Sequence, residues 1–204
     1  MRLKIVQAGD PVLRQQARAL SSEEIRSRSM QELIEHMKET MRDAPGVGLA
    51  APQVGVSLQL AVIEDREEYC KDIPATQILE RERTPIPFHV LINPRVASAS
   101  GAPLEFFEGC LSLAGFCALV PRRRTVRVEC VDEKGASRVI EASGWYARIL
   151  QHEIDHLNGA LYIDRMHSRS LTSLENFNRM WKNKPLQEIR DALLGSRDDL
   201  QPQH

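Results

Sequence analysis

Apolar positions along the chain alternate between helical and strand spacing. Met30, Leu33, Ile34, Met37 and Met41 recur at helical intervals, which predicts an amphipathic helix whose methionine stripe packs into a core. Upstream, Ser21 and Glu24 have the spacing of a capping box. Downstream, "DAPG" at 43 to 46 ends the run, because Pro disfavours helix in the residue before it. "LQLAVI" (58 to 63) and "FHVLINP" (88 to 94) predict strands, with the charged stretch 64 to 87 between them as an exposed loop or short insertion. "TVRVECVDEKGASRVIEA" (125 to 142) alternates apolar and polar residues on both sides of "EKG", a hairpin pattern. "SGWYARILQHEIDHLNG" (143 to 159) returns to helical period and stops at Asn158-Gly159. Near the end, Leu186, Ile189 and Leu193 share one stripe, followed by a polar tail. Strands followed by helices predict an α+β fold. The 204 residues suit one domain with its own core, with 170 to 204 as a helical extension and tail.

Composition narrows the classes. The 27 Lys+Arg balance 28 Asp+Glu to a net charge of -1, so bulk electrostatics give no reason to expect a nucleic-acid binder. Arg122, Arg123 and Arg124 read as a solvated strand end, or as a weak contact to a polyanion such as the ribosome. No stretch approaches the ~20 apolar residues of a membrane span, and the first residues lack a signal-peptide core. Cys70, Cys110, Cys117 and Cys130, without export signals, read as free thiols or metal ligands in a reducing compartment.

The chemistry concentrates in "RILQHEIDHLNG". Residues four apart on a helix differ by about 40° in direction, so His152 and His156 can present their rings to one ion. Glu153 then sits beside the ion, where a base acting on water is needed. The alternative is a polar pair satisfied by protein groups. Trp145, Ile149, Leu150, Ile154 and Leu157 cover nearly every face of this helix, which predicts a buried helix in which unpartnered polar groups are costly. An open site needs a third ligand. Cys110 in "FFEGCLSLAGF", next to Gly109, which allows close backbone approach, is the best candidate, although a lone cysteine is more often inert and buried.

Together, "GVGLAAPQVG" (46 to 55), "EGCLSLAGF" and "QHEIDHLNG" resemble the three signature segments of peptide deformylases, and similarity extends over about residues 5 to 166. The flavour is closer to the branch that includes organellar members. The resemblance implies mainly antiparallel sheets around a buried central helix, with Cys110, His152 and His156 as metal ligands and Glu153 as general base and acid. It assigns the Gln53 amide and the Leu111 backbone N–H to the oxyanion. Its implied cofactor is one divalent ion, ferrous iron natively, with zinc, nickel or cobalt able to substitute. The implied activity is hydrolysis of the formyl group of N-terminal formyl-methionine on nascent chains at the ribosome, with no membrane and no nucleic-acid specificity. The short N-terminus favours the bacterial cytoplasm over a mature mitochondrial or plastid protein.

One departure stands out: many members carry an arginine where this chain has Cys117, a second thiol open to oxidation near the metal. Gly46 and Gly48 let an extended peptide pair beside the loop, or are ordinary loop glycines. Val47, Trp145 and Ile149 are candidates for the methionine pocket, or plain core. Two rival readings remain. A general HExxH peptidase would need Asp164 as its third ligand, and a structural module would close Cys110, Cys117, His152 and His156 around an ion with no room for water.

Overall fold

The computed structural model describes residues 1–71 and 73–195; the predicted polar tail lies outside them from residue 196 onward. The predicted capping box forms, with Ser21 and Glu24 bonding reciprocally, but it starts only a single turn, α1 (Ser22–Ile25). The methionine-bearing helix is separate, α2 (Arg28–Asp43), and has its own cap at Ser27. Two cap residues six apart allow the chain to turn between the helices.

Strands β1 (Gly48–Ala50), β2 (Leu60–Asp65), β3 (Ile86–Cys110), β4 (Leu113–Val131) and β5 (Ser137–Ser143) pair in sequence order, each antiparallel to the next. The sheet lies between two helices. On β2, Leu60 and Val62 pack with Met30, Ile34, Met37 and Met41 of α2. Ala61 and Ile63 face Leu150, Ile154 and Leu157 of the helix α4 (Gly144–Leu157). Burial on both faces explains why this strand reads as a continuous apolar run. The "EKG" hairpin turn joins β4 to β5, with Asp132 Oδ1 accepting from the Lys134 and Ala136 amides.

Sequence patterning missed the longest feature. Residues 95 to 124, without a predicted element, belong to a β3–β4 hairpin whose register slips between Ile92 and Arg95, Val96 and Ser98, Ser100 and Pro103, and Gly109 and Cys110. Each slip resets the alternation, so no sustained period of two survives in the sequence.

The charged stretch 64 to 87 is not simply an exposed loop. It completes β2, contains α3 (Ala75–Glu80) and starts β3. Arg83 within it is buried against Asp65 in a two-pronged ion pair of 2.8 Å bonds. The Arg122–Arg124 run is also corrected: Arg122 is buried, because β4 turns alternate side chains inward, while Arg123 and Arg124 stay exposed.

Beyond residue 170, β6 (Thr172–Ser173) pairs with Phe116 and Cys117 of β4. α5 (Leu174–Asn176) runs into a π-helical turn, Phe177–Trp181. α6 (Leu186–Leu194) buries Ile189.

Candidate metal centre

Four segments converge on one cleft of about 440 Å³. β1 and the loop before it bring Gly46, Val47 and Gly48; a 3₁₀ turn, Ala51–Val54, brings Gln53. The β3–β4 turn brings Gly109, Cys110 and Leu111, and α4 brings Trp145, Ile149, His152 and Glu153. His156, one turn further along α4, lies buried behind them. The residues assigned from the sequence to catalysis, metal and peptide binding are therefore in the cleft or on its floor.

At the floor, Cys110 Sγ lies 3.3 Å from His156 Nε2, which lies 3.2 Å from His152 Nε2. The three ligand atoms fall within 4.8 Å of one another. Tetrahedral coordination at ordinary metal–nitrogen and metal–sulfur lengths separates ligand atoms by roughly 3.4 to 3.6 Å, so the donors already have nearly the spacing one ion requires. The ring of His152 is set from behind. Its Nδ1 lies 3.0 Å from Glu108 Oε2; an ionised carboxylate can only accept, so Nδ1 carries the proton and Nε2 keeps a lone pair for the ion. One soft thiolate and two imidazoles suit iron, zinc, cobalt or nickel.

Glu108 is the residue that sequence reasoning passed over. It also accepts from Arg122 Nε and Nη2, both at 2.9 Å, and from Arg148 Nη1 at 2.6 Å. Burial opposes its charge, but the His152 and Arg122 hydrogen bonds outweigh burial and hold the carboxyl well below the usual range. Arg122 also binds Asp155, which Arg165 grips from outside. A carboxylate in the apolar run "FFEGC" and an arginine inside a core helix are the signal that could have exposed this network.

Glu153 has the opposite environment. Its Oε2 is buried and has no partner, and burial pushes its pKa up to about 7. It presses against Gly48, where an added Cβ would meet Glu153 Oε1 at 2.1 Å. That contact, rather than loop flexibility, is why position 48 is glycine. The other edge of β1 is unpaired in the sheet, so an extended chain could add there.

Gln53 is buried with its amide tied at both ends. Oε1 accepts from the Ala50 amide at 2.9 Å, and Nε2 points to Cys110 Sγ at 3.5 Å and Ser112 Oγ at 3.3 Å. The β3–β4 turn is braced by the N-terminal segment. Gln7 Nε2 donates to the Leu111 carbonyl at 3.0 Å, the Ala114 amide donates to Gln7 Oε1 at 3.3 Å, and the Ala8 amide donates to the Ser112 carbonyl at 2.7 Å. The Val6 amide bonds the Gln53 carbonyl at 2.9 Å. Behind His152, the Tyr162 ring stacks at 6.4 Å.

Neither rival ligand joins the donors. Cys117 is turned into the core, and burial pushes its thiol up to about 12. It is therefore an inert thiol rather than one open to oxidation. Its neighbour Phe116 faces the cleft instead. Asp164 caps Leu161 N at 2.8 Å and pairs with Arg14.

A family profile described as Polypeptide deformylase matches residues 2–171. The chain is 46% identical over 174 residues to Peptide deformylase 1A, chloroplastic, of Solanum lycopersicum, covering 85% of this chain and 63% of that protein. It thus spans less than two thirds of that relative's length. It is 46% identical over 184 residues to Peptide deformylase 1 of Bifidobacterium longum, covering 90% and 82%. Among solved structures, the Met-Ala-Ser-bound class I type b peptide deformylase from Acinetobacter baumannii superposes with a TM-score of 0.72 at 30% identity, covering 81% of this chain and 99% of that one.

Proposed function

This chain belongs to the polypeptide deformylase family, and we propose on that premise that it hydrolyses the formyl group from N-terminal formyl-methionine, releasing formate and a free amine. The observation that carries this reading is the focus of Cys110, His152 and His156 at the floor of the cleft, with the unpartnered carboxylate of Glu153 beside it. When bound there, a divalent ion supplies Lewis acidity, acidifying water and polarising a carbonyl oxygen.

The side chains do the rest. Glu153, with a pKa raised to about 7 by burial, takes the proton from the attacking water and returns it to the departing amine. The Gln53 Nε2 and the Leu111 N–H donate to the oxygen that gains charge, each such donor being worth on the order of 3 kcal/mol. The free edge of β1 and the loop at Gly46 and Val47 hold the peptide extended, while Gly109 lets its backbone approach Cys110. Trp145, Ile149 and Val47 enclose the methionine side chain.

The mixed sulfur and nitrogen donor set accommodates ferrous iron, zinc, nickel or cobalt alike; the choice of ferrous iron as the native ion rests on family membership. Nascent polypeptides are the proposed natural substrates, met at the ribosome. The chain acts as one catalytic domain, 1–204, with 170–204 as its extension. The free thiols support a reducing compartment, for which we take the bacterial cytoplasm, with a mitochondrion or plastid as the alternative.

The test is formate release from a formyl-methionyl tripeptide by anaerobically purified, iron-loaded protein, beside Glu153→Ala at equal iron content. Turnover in the first, reduced about 10²- to 10⁴-fold or more in the second, is expected. Full iron occupancy without turnover would overturn the reading.

A further inference from the structure

The segment 64 to 87 reaches Trp145 on the cleft wall through Arg81, the residue that closes α3. The backbone carbonyl of Arg81 accepts the Trp145 amide at 2.8 Å. Its guanidinium lies 5.3 Å from the Trp145 ring and 5.7 Å from the Phe106 ring. Two further cations touch the same rings, Arg83 at 5.1 Å from Trp145 and Arg148 at 5.2 Å from Phe106.

These cations differ in what neutralises them. Arg83 has Asp65 and Arg148 has Glu108. Among the described residues Arg81 forms no ion pair; Nη2 reaches only the Gln77 amide oxygen at 3.5 Å, and Nε is buried with no partner. A largely enclosed cation without a counter-ion lowers stability, and nothing in the packing of α3 requires one. Its principal contacts are the two aromatic rings. Trp145, meanwhile, has a buried indole N–H with no partner. No hydrogen bond of its own fixes the orientation of that ring, which rests against the core on one side and has the Arg81 and Arg83 guanidinium groups over it.

We propose that Arg81 is a positioning residue that locks Trp145 as a rigid wall of the pocket for the peptide's first side chain, and thereby sets the discrimination for methionine. The proposal rests on Trp145 lining that pocket, as argued above. The support of Arg81 is itself rigid: Gly144 has φ +57, a Cβ there would meet Glu82 Cβ at 2.5 Å, and Glu82 has φ +50. Loop and helix start are thus pressed together, and Arg81 grips Trp145 through backbone and side chain at once. A stiff wall discriminates by shape; one that swings accepts shorter and branched side chains more readily.

The experiment compares kcat/KM for formyl-methionyl, formyl-leucyl and formyl-alanyl tripeptides in the iron-loaded wild type, Arg81→Met, Arg81→Lys and Trp145→Ala, with melting temperature recorded for each. In Arg81→Met the methionine-to-leucine and methionine-to-alanine ratios are expected to fall about fivefold to tenfold, mainly through KM. The melting temperature should hold or rise, because a half-buried cation without a counter-ion is gone, and Arg81→Lys should restore most of the ratio. Unchanged ratios in Arg81→Met overturn the proposal, and so does a lower melting temperature with unchanged ratios, the mark of a purely structural role. If Trp145→Ala shifts the ratios while Arg81→Met does not, only the role of Arg81 fails. If neither shifts them, the pocket assignment fails with it.

Discussion

α2 and α4 cover opposite faces of one sheet, and both are buried, yet they bury different chemistry. α2 places Met30, Ile34, Met37 and Met41 against the strands. α4 buries Arg148, Glu153, Asp155 and His156 beside Leu150 and Leu157. Apolar side chains need only matching volume, whereas each buried charge needs a partner. Arg148 and Asp155 have theirs in Glu108, Arg122 and Arg165. Glu153 Oε2 has none, and it stands beside the three metal-binding atoms. Where a helix buries charge, the partnered groups hold the frame and the unpartnered one marks where chemistry occurs.

The largest expected effect separates the two helices. Glu108→Ala strips an acceptor from Arg122, Arg148 and His152 at once; Arg122 keeps Asp155, but Arg148 is left a buried cation without a counter-ion, at a cost of about 3 to 5 kcal/mol. The same change frees the His152 ring and should weaken metal affinity about 10- to 100-fold. Met37→Ala, on the other face, should lose a comparable about 2 to 5 kcal/mol by leaving a cavity, with metal affinity intact. Denaturant midpoints and chelator competition on both variants check this. Equal weakening of metal binding by the two substitutions would erase the contrast.

A smaller effect follows from pH. The Glu153 carboxyl titrates near 4.5 in an unfolded chain and at about 7 in the fold because burial disfavours its charge. Between those values the folded state holds the proton that the unfolded state has released, so stability falls as pH rises from about 4.5 to about 7. At about 1.4 kcal/mol per pH unit, the full span is at most about 3.5 kcal/mol. Glu153→Gln has no proton to lose there. The stability difference between chelated wild type and this variant should therefore move in the variant's favour across that window and level off above it. A difference flat with pH would mean that Glu153 is already charged in the metal-free fold.

The same contrast explains what was legible in the sequence. The α2 stripe and the apolar run of β2 obey one local period each, and both elements were predicted. The motif helix was legible because His152, Glu153 and His156 repeat on one turn, and Cys110 because a thiol stands out in an apolar segment. Arg122 and Arg81 were not, because each has meaning only through a partner distant in sequence, and Glu108 showed only as a carboxylate out of place in an apolar run. Arg122 reaches Glu108 across the β3–β4 ladder and Asp155 on α4. The hairpin itself was hidden by its register slips, which break the period of two that would have announced it.

The smallest expected effect concerns an exposed residue that no sequence pattern marked. Gln7 is outside the core, so truncating it should leave folding intact. Its amide nevertheless spans the β3–β4 turn, donating to the Leu111 carbonyl and accepting from the Ala114 amide. Removing this brace leaves the Ala8 bond to Ser112, so the turn should loosen rather than collapse. Gln7→Ala is expected to lower kcat about threefold to tenfold with iron content and melting temperature unchanged, a modest misplacement of the Leu111 donor. Gln7→Glu refines the reading. A carboxylate still accepts from Ala114 but cannot donate to Leu111, so a loss equal to that of Gln7→Ala assigns the effect to the Leu111 bond alone. Wild-type kcat in both variants would show that the Ala8 contact suffices, and that precision at the turn is held by backbone rather than by side chain.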